Sequence, residues 1–300
     1  MKILIAGGSG LIGNALKTTF IEKGYEVGIL SRKKKKQTGY YFWDPSNKLI
    51  DKEALKDTDV LINLAGATIS EGRWTGKKKR ILKESRVLTT KFLVDQAKQY
   101  CEQLKLYIGS SAVGIYKDGG NQFLTEQATI DNDFMSDLAV GWEAAHREIE
   151  TMTGVRSSIL RIGVVLSQEG GAYPVFKKNM ILGISPNFGS KLYYPLVHIK
   201  DVVRVFQWLI DTTQARGIYN LSCPTPTHHL EVFKWIGKYG KKGFIPVPAP
   251  KLILRLAMGE QSEIVLRSLR VIPERLLKEG FIFNYGKAES IIKDLENTNP

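Results

Sequence analysis

Glycine residues with a regular spacing stand near the beginning of the chain, in the segment Gly7-Gly-Ser-Gly-Leu-Ile-Gly13. Counted from Gly8 the spacing is G-x-G-x-x-G, and counted from Gly7 it is G-x-x-G-x-x-G. Glycine permits a tight turn, a close approach of the backbone to a diphosphate, and close packing of a helix on a strand. The N–H groups and positive dipole end of that helix then bind phosphates. The pattern predicts a dinucleotide site formed by Gly7, Ser9, Gly10, Leu11, Ile12 and Gly13.

The end of the second predicted strand indicates which dinucleotide is preferred. NAD-specific sites place Asp or Glu there, about 20 residues after the glycine loop, to bind the ribose 2′-hydroxyl. This chain has Ser31-Arg32-Lys33 instead and offers no carboxylate. A hydroxyl and a guanidinium suit a 2′-phosphate, so we expect NADP(H) to be bound by Ser31 and Arg32. The alternative is that Arg32 is simply surface charge.

Strands and helices alternate through the first half of the chain. Short apolar runs predict buried strands at residues 2–6, 25–30, 40–43, 59–66, 105–109 and 157–166. Helical spacing of apolar residues predicts helices at residues 11–22, 76–100 and 134–152. Such alternation is typical of a parallel sheet covered on both faces. We therefore expect an α/β fold of Rossmann type, with a doubly wound parallel sheet.

The regular pattern weakens after about residue 167, where Gly and Pro become frequent. Helices are expected at 201–211 and 230–238, and a Leu-rich helix from 251 to about 270. We place the NADP-binding domain at residues 1–166 and 198–223. The remaining pieces, 167–197 and 224–300, are expected to form a smaller C-terminal substrate lobe.

The composition limits the classes of protein to consider. No run of 18 apolar residues is present, so no membrane span is predicted, and the apolar N-terminus is interpreted as a strand. Two cysteines, Cys101 and Cys223, are too few for a disulfide framework, so we expect a cytoplasmic protein. Neither the cysteines nor the pair His228 and His229 has the spacing of metal ligands, so we expect no metal site. The net charge of +13 includes lysine-rich runs without interleaved aromatic residues, which favours solvated faces over nucleic-acid binding.

Several segments resemble the extended short-chain dehydrogenase/reductases, that is, the NAD-dependent epimerase/dehydratase-like proteins. The general family is indicated by the glycine loop, Asn63-Leu-Ala-Gly66 and Ser110-Ser-Ala-Val-Gly114. An atypical subfamily labelled nucleotide-sugar epimerase is indicated by Gly72-Arg-Trp74, Ser85-Arg-Val87, Thr89-Thr90, Trp142-Glu143, Arg161-Ile-Gly163, Val271-Ile-Pro-Glu-Arg-Leu-Leu277 and Gly280-Phe281. The resemblance implies that Leu64, Ala65 and Gly66 flank the adenosine half of the cofactor. It also implies that the loop after Ser111 borders the nicotinamide.

The usual catalytic pair of the family is absent from this chain. The resemblance implies a Tyr and, four residues later, a Lys on the helix after the fifth strand, yet residues 134–145 contain neither. Other acid/base groups are therefore considered. Ser111 matches the family's active-site hydroxyl, Tyr116 lies on the same loop, and Glu143 follows on the helix. Their alternatives are a backbone-bonded hydroxyl, a packed aromatic and a surface carboxylate.

Three further residues are candidates for binding the substrate. Arg73 and Arg86 suit an anionic group, or else form structural ion pairs, and His198 either faces the substrate or contacts Asp201 structurally. We expect an NADP(H)-dependent oxidoreductase or epimerase-like protein without the Tyr–Lys pair. Its substrate would be a small molecule, a nucleotide sugar or another anionic carbonyl compound. The alternative is a non-catalytic NADP(H)-binding redox sensor that acts through a protein partner.

Overall fold

The computed structural model describes residues 1–180, 183–189 and 192–297; residues 181, 182, 190, 191 and 298–300 of the predicted lobe lie outside the described residues. The strands are β1 (Lys2–Ala6), β2 (Glu26–Ser31), β3 (Tyr40–Asp44), β4 (Leu49–Ile50), β5 (Val60–Asn63), β6 (Leu106–Ala112), β7 (Arg156–Ile162), β8 (Val164–Ser167), β9 (Gly170–Gly171), β10 (Ile184–Asn187), β11 (Tyr193–Tyr194), β12 (Leu196–His198), β13 (Gly217–Leu221), β14 (Thr227–His228) and β15 (Ile245–Pro248). The helices are α1 (Leu11–Glu22), α2 (Gly76–Lys83), α3 (Thr89–Tyr100), α4 (Phe134–Arg147), α5 (Tyr173–Asn179), α6 (Ile199–Asp211), α7 (His229–Tyr239), α8 (Lys251–Met258), α9 (Glu263–Leu266), α10 (Glu274–Lys278) and α11 (Ala288–Asn297).

The central sheet has eight strands within the described residues, in the order β13-β7-β6-β5-β1-β2-β3-β4. All neighbours pair in parallel except β3 and β4. The chain proceeds outward from β1 through β2 to β3, and then returns to build β5, β6, β7 and β13 on the other side. The order therefore reverses between β1 and β5, which is where ligands bind in such sheets. The predicted Rossmann-type α/β fold is confirmed.

Alternating side chains of β1 show why the sheet is covered on both faces. Ile3 and Ile5 belong to a core cluster shared with α1 and α6, whereas Leu4 and Ala6 belong to a second cluster shared with α3. Successive side chains of a strand point to opposite faces, so this fully apolar strand requires a helical layer on each side. Burial of both layers fixes the carboxyl end of β1, and with it the glycine loop.

Two predicted helices differ from the observed ones. The helix expected at 76–100 is interrupted by a π-helical turn at Glu84–Leu88, between α2 and α3. The Leu-rich helix expected to reach 270 was wrong beyond α9 and is broken after α8, where Gly259 has a φ of +63°. The positive φ, together with a ψ of −144°, is a conformation that favours glycine and ends the helix. The residues after α9 continue in an extended conformation.

The expected strand at 157–166 is divided at Gly163, where a Cβ would overlap the carbonyl oxygen of Pro195. β7 stays in the central sheet, while β8 leaves it to form a small sheet with β9 and β12. Two further small sheets pair β10 with β15 and β11 with β14. The division into two domains at the predicted boundaries stays a prediction.

An extended segment at residues 267–272, which we call the strap, joins the C-terminal region to the loop after β6. Gly119 N–H donates to Ser268 O at 3.1 Å, and Leu124 N–H donates to Arg270 O at 3.0 Å. On its other side the strap donates from Leu269 N–H to Tyr193 O. The strap thereby fixes the loop that leads away from Ser111.

Candidate functional site

The glycine loop and the segment after β5 approach each other at the reversal of the sheet. Gly7 has a φ of +83°, and a Cβ on it would lie 2.7 Å from the carbonyl carbon and oxygen of Leu64. No side chain fits in that space, and few residues other than glycine adopt that φ. Gly7 and Leu64 are therefore packed against each other at the carboxyl edge of the sheet, beneath the crevice that such sheets form at the point of reversal, which we call the cleft.

Two glycines of the loop have opposite surroundings. A Cβ on Gly13 would lie 2.6 Å from Gly8 Cα, so Gly13 is required by the packing of α1 on the loop. A Cβ on Gly10 would meet only Gly7 O, at 3.4 Å, and Gly10 is exposed. The protein itself therefore leaves space above Gly10, as a site for a diphosphate requires.

The first turn of α1 faces this open space. Asn14 N–H donates to Gly10 O in the first helical hydrogen bond, so the N–H groups of the three preceding residues have no intrahelical acceptor. No side chain caps this end of the helix. The N–H groups that the sequence analysis assigned to phosphate, those of Leu11, Ile12 and Gly13, are thus available to a ligand.

Ser31 is the last residue of β2, and Arg32 follows it at the same edge of the sheet. The Ser31 hydroxyl donates to Lys33 O at 2.8 Å and also accepts from Lys33 N–H, which forms a tight turn. Arg32 is exposed, and within the described part of the chain no hydrogen bond or ion pair of its guanidinium is recorded. Its positive charge contributes, after the hydrogen bonds from Asn47 and Ser46, to lowering the pKa of Asp44.

The three predicted acid/base residues lie together, around an arginine that the sequence analysis did not assign to the site. Ser111 Oγ donates to Glu143 Oε1 at 2.7 Å. Arg161 donates two hydrogen bonds to the same carboxylate, from Nε to Oε1 at 2.8 Å and from Nη2 to Oε2 at 2.9 Å. Glu143 is 4% exposed, so it is not the surface carboxylate that was considered as the alternative. A bidentate pair of this kind fixes the position of both side chains and satisfies the buried carboxylate.

Tyr116 belongs to the same network but lies deeper. Its hydroxyl donates to Asn220 Oδ1 at 2.6 Å and accepts from Arg161 Nη1 at 2.9 Å, and the side chain is fully buried. Burial raises the pKa of Tyr116 to about 12 although Arg161 opposes this. In this position Tyr116 orients Arg161 and is screened from any ligand in the cleft.

The register of the sheet explains why these residues meet. Ser111 on β6 lies opposite Arg161 on β7, and Arg161 lies opposite Asn220 on β13. Burial alone would lower the pKa of Arg161, but the hydrogen bonds and charge of Glu143 raise it. The positively charged guanidinium of Arg161 is thus held behind Ser111, on the neighbouring strand β7.

A buried histidine supports β6 from behind. His146 Nε2 lies 2.9 Å from Ser110 O, and its Nδ1 lies 2.6 Å from the Tyr107 hydroxyl. Burial lowers the pKa of His146 to about 3, so the ring is neutral near pH 7. A Cβ on Gly109 would lie 2.6 Å from the imidazole, which explains the glycine at that position of the strand.

Arg86 lies in the π-helical turn, against the segment that follows β5. Its guanidinium carbon is 5.0 Å from the centre of the Trp142 ring and packs against Gly66, whose Cβ would be only 3.1 Å away. Its recorded hydrogen bond is a long one, 3.4 Å to Leu82 O, and no ion pair with it is recorded among the described residues. Burial without a counter-ion lowers the pKa of Arg86 to about 10.

Arg73 and His198 are not in this cluster. Arg73 donates from Nε to Ala257 O at 2.9 Å and from Nη2 to the same oxygen at 2.7 Å, so it caps the carboxyl end of α8 instead of forming an ion pair. His198 is buried, stacks on Tyr285 at 4.0 Å and lies 3.2 Å from Asp294. The contact anticipated with Asp201 is therefore replaced by one with Asp294.

Sequence reasoning missed the roles of Arg161, Asn220 and His146. Arg161 and Asn220 are polar residues within apolar strand sequence, as in Ile159-Leu160-Arg161-Ile162, and His146 follows Ala144-Ala145; all three are almost completely buried. A charged residue such as Arg161 inside a predicted buried strand requires a partner of opposite charge, and this requirement is the signal that could have led to Glu143. Which carboxylate is the partner, however, depends on how α4 packs against β7.

Within the part of the chain that the structure describes, no three His, Cys, Asp or Glu side chains are grouped to hold a metal ion. None of the described helices is both long enough and apolar enough to cross a bilayer.

Comparison with known proteins agrees with this architecture. Residues 3–222 match the model of the NAD dependent epimerase/dehydratase family, and residues 249–295 match a domain of unknown function, DUF1731. Epimerase family protein SSP1921 of Staphylococcus saprophyticus is 32% identical over 298 residues, covering 97% of this chain and 98% of that protein.

Two solved structures extend the comparison. Human epimerase family protein SDR39U1, crystallised with NADPH, has a TM-score of 0.87 and 26% identity, and the match covers 100% of both chains. The nucleoside-diphosphate sugar epimerase of Corynebacterium glutamicum has a TM-score of 0.81 and 29% identity, over 99% of this chain and 58% of that one. The family resemblance predicted from the sequence is confirmed, and the chain belongs to the NAD-dependent epimerase/dehydratase family.

Proposed function

We propose that this protein binds NADP(H) in the cleft at the carboxyl edge of the sheet, above Gly7 and Leu64. The open space above Gly10, beside unpaired N–H groups of α1, carries this proposal. The exposed guanidinium of Arg32, at the end of a strand without a carboxylate, supports NADP(H) over NAD(H). The presence of NADPH in the human neighbour agrees with it.

Calorimetric titration with NADPH and NADH tests the preference. A charge-assisted hydrogen bond to the 2′-phosphate contributes about 1.5–3 kcal/mol, so we expect NADPH to bind about tenfold or more tightly. Arg32→Ala should remove the preference while NADH affinity stays the same. Lys36→Ala, in the same exposed basic run, is the matched control. Equal affinities for the two cofactors in the unaltered protein would refute the assignment.

We further propose an oxidoreductase or sugar-nucleotide epimerase whose proton transfer uses Ser111. Bound nicotinamide would accept or donate a hydride. Because the Ser111 proton is directed to Glu143, the lone pairs of Ser111 can accept a hydrogen bond from a substrate hydroxyl. As that hydroxyl loses its proton to Ser111, the serine proton passes to Glu143. The two hydrogen bonds from Arg161 hold the Glu143 carboxylate in position to receive it.

In this proposal Tyr116 is a positioning residue, because its hydroxyl is engaged with Arg161 and Asn220 away from the cleft. Arg86, which lacks a carboxylate partner in the described chain, binds an anionic group of the ligand. A nucleoside-diphosphate sugar supplies such a group, and a neighbour is named as an epimerase of that class. Arg73 is assigned to the cap of α8 and His198 to the contact with Tyr285.

A screen of nucleotide sugars and small ketones with NADPH tests the catalytic proposal. Ser111→Ala should reduce turnover about a hundredfold or more and leave NADPH affinity unchanged, because general acid–base groups contribute about 10²–10⁴ in rate. Thr90→Ser, a buried hydroxyl in contact with Asn63 and Trp142, is a control for general disturbance. Full turnover in Ser111→Ala would place the proton transfer elsewhere.

A non-catalytic redox sensor remains the second candidate, and one observation favours it. Glu143 and Arg161 satisfy each other inside the protein, and α4 offers no Tyr or Lys to the cleft. A sensor would bind NADPH and NADP⁺ with different effects on a partner surface, and show no turnover with any member of the screen. Since both cysteines are buried free thiols, either function suits a reducing compartment such as the cytoplasm.

A further inference from the structure

The C-terminal region presents an apolar helix face that nothing in the described chain covers. Leu252, Ile253 and Leu256 on α8 are 68%, 64% and 71% exposed, and α8 buries none of its residues. Side chains of this kind are normally buried, so a cluster of them on a protruding helix indicates an interaction surface.

The helix is held in place at both ends, although its apolar side chains contribute little to that attachment. At its carboxyl end, Arg73 binds the carbonyl oxygens of Leu256 and Ala257, and Lys79 pairs with Glu260 just beyond. At its amino end it follows β15, which pairs with β10. The fold therefore presents α8 in a defined position.

Charge is distributed asymmetrically around these apolar residues. The segment from residue 240 to 259 contains Lys241, Lys242, Lys251 and Arg255 and no Asp or Glu. Of these four cations, Arg255 forms a recorded ion pair, with Glu263. The preceding strand adds Ile245, which is 57% exposed. We call residues 241–258 the basic–apolar segment.

The combination of an exposed apolar helix with lysines that form no ion pair among the described residues matches the surface of an anionic bilayer. Helices with an apolar face and flanking Lys or Arg lie in the interface plane, with their apolar side chains among the lipid headgroups. A second copy of this chain would bring four more cations to the same contact and be repelled. None of the described helices could cross a bilayer, but a helix that lies in the interface plane does not need to cross it.

We propose that the basic–apolar segment binds the surface of membranes that contain anionic lipids, with α8 as the inserted element. The proposal is argued from the exposed side chains of α8 and uses none of the residues assigned to the cofactor. Binding therefore does not depend on the function proposed above.

Co-sedimentation with vesicles of phosphatidylcholine alone, or with about one third phosphatidylglycerol, tests the proposal. The full chain should bind the anionic vesicles and not the neutral ones. The triple variant Leu252→Ser, Ile253→Ser, Leu256→Ser should bind at least about a hundredfold more weakly. Lys251→Gln should lower the affinity about fivefold. Ile282→Ser, which removes a side chain that is 76% exposed elsewhere, should change nothing.

Because the three substituted side chains are exposed, the triple variant should keep the thermal stability and NADPH affinity of the unaltered protein. No binding to anionic vesicles, or binding that the triple substitution leaves intact, would overturn the proposal. Light scattering provides a second arm: self-association that disappears in the triple variant, without vesicle binding, would identify another copy as the occupant instead.

Discussion

Replacement of Gly10 by valine separates the needs of the ligand from the needs of the fold. The backbone of Gly10 has a φ of −79° and a ψ of 173°, which valine adopts readily, and a new Cβ would meet only Gly7 O at 3.4 Å. We therefore expect the unfolding free energy to change by about 1 kcal/mol or less, as for other exchanges at a helix N-cap. The side chain would, however, fill the space proposed for the diphosphate.

The expected loss of affinity follows from the contacts that valine would displace. Each hydrogen bond from the first turn of α1 to a phosphate oxygen contributes about 1.5–3 kcal/mol, so displacing even one weakens NADPH binding at least about tenfold. Urea unfolding and calorimetric titration measure the two effects separately. Gly13→Ala is the opposing control, because its Cβ would lie 2.6 Å from Gly8 Cα and should destabilise the fold itself. Native affinity in a folded Gly10→Val protein would refute the assignment of the glycine loop.

Three further predictions concern buried ionisable side chains. Arg86→Met should raise the thermal stability of the free protein, because it removes a buried cation without a counter-ion from beside Trp142. The same change should weaken binding of the anionic ligand about tenfold. A loss of both stability and ligand affinity would contradict this role. Arg161→Met should lower the unfolding free energy by about 3–5 kcal/mol because Glu143 is left unpaired, and Glu143→Leu in the same chain should restore most of it, as urea titration would show. The pKa of His146 is about 3 in the folded protein, so below about pH 6.5 the unfolded chain binds a proton that the folded one does not. The unfolding free energy should therefore fall by about 1.4 kcal/mol per pH unit as the pH drops below about 6.5. If His146→Gln leaves this pH dependence unchanged, the prediction is contradicted.

The sequence was most informative where one segment determines its own geometry. The turn at Gly7, the helix α1 and the strand β1 depend on local spacing and apolar pattern, and all three lie where they were expected. Ser31-Arg32 likewise follows a strand whose pattern is plain. Dinucleotide loops are recognisable for this reason, since glycine positions and strand periodicity are properties of the chain itself.

Pairings between distant elements were beyond such reasoning. Arg161 and Glu143 meet only because α4 packs across β6 and β7, and Arg73 finds its acceptors 183 and 184 residues away, on α8. The Leu-rich stretch after 250 has helical spacing throughout, yet residues beyond α9 form the strap because their backbone groups bond to Gly119 and Leu124. Tertiary hydrogen bonds outweighed local propensity there.

The strap also determines when the protein can finish folding during its synthesis. The loop that follows Ser111 is completed by hydrogen bonds to residues about 150 positions later, such as the bond from Ser268 Oγ to Gly120 O. A nascent chain that has released only the first half of its sequence can assemble much of the parallel sheet, but this loop must wait for the C-terminal residues to emerge from the ribosome. A segment translated about 150 residues later therefore completes the surroundings of Ser111, and a product truncated before the strap would leave that loop without these partners.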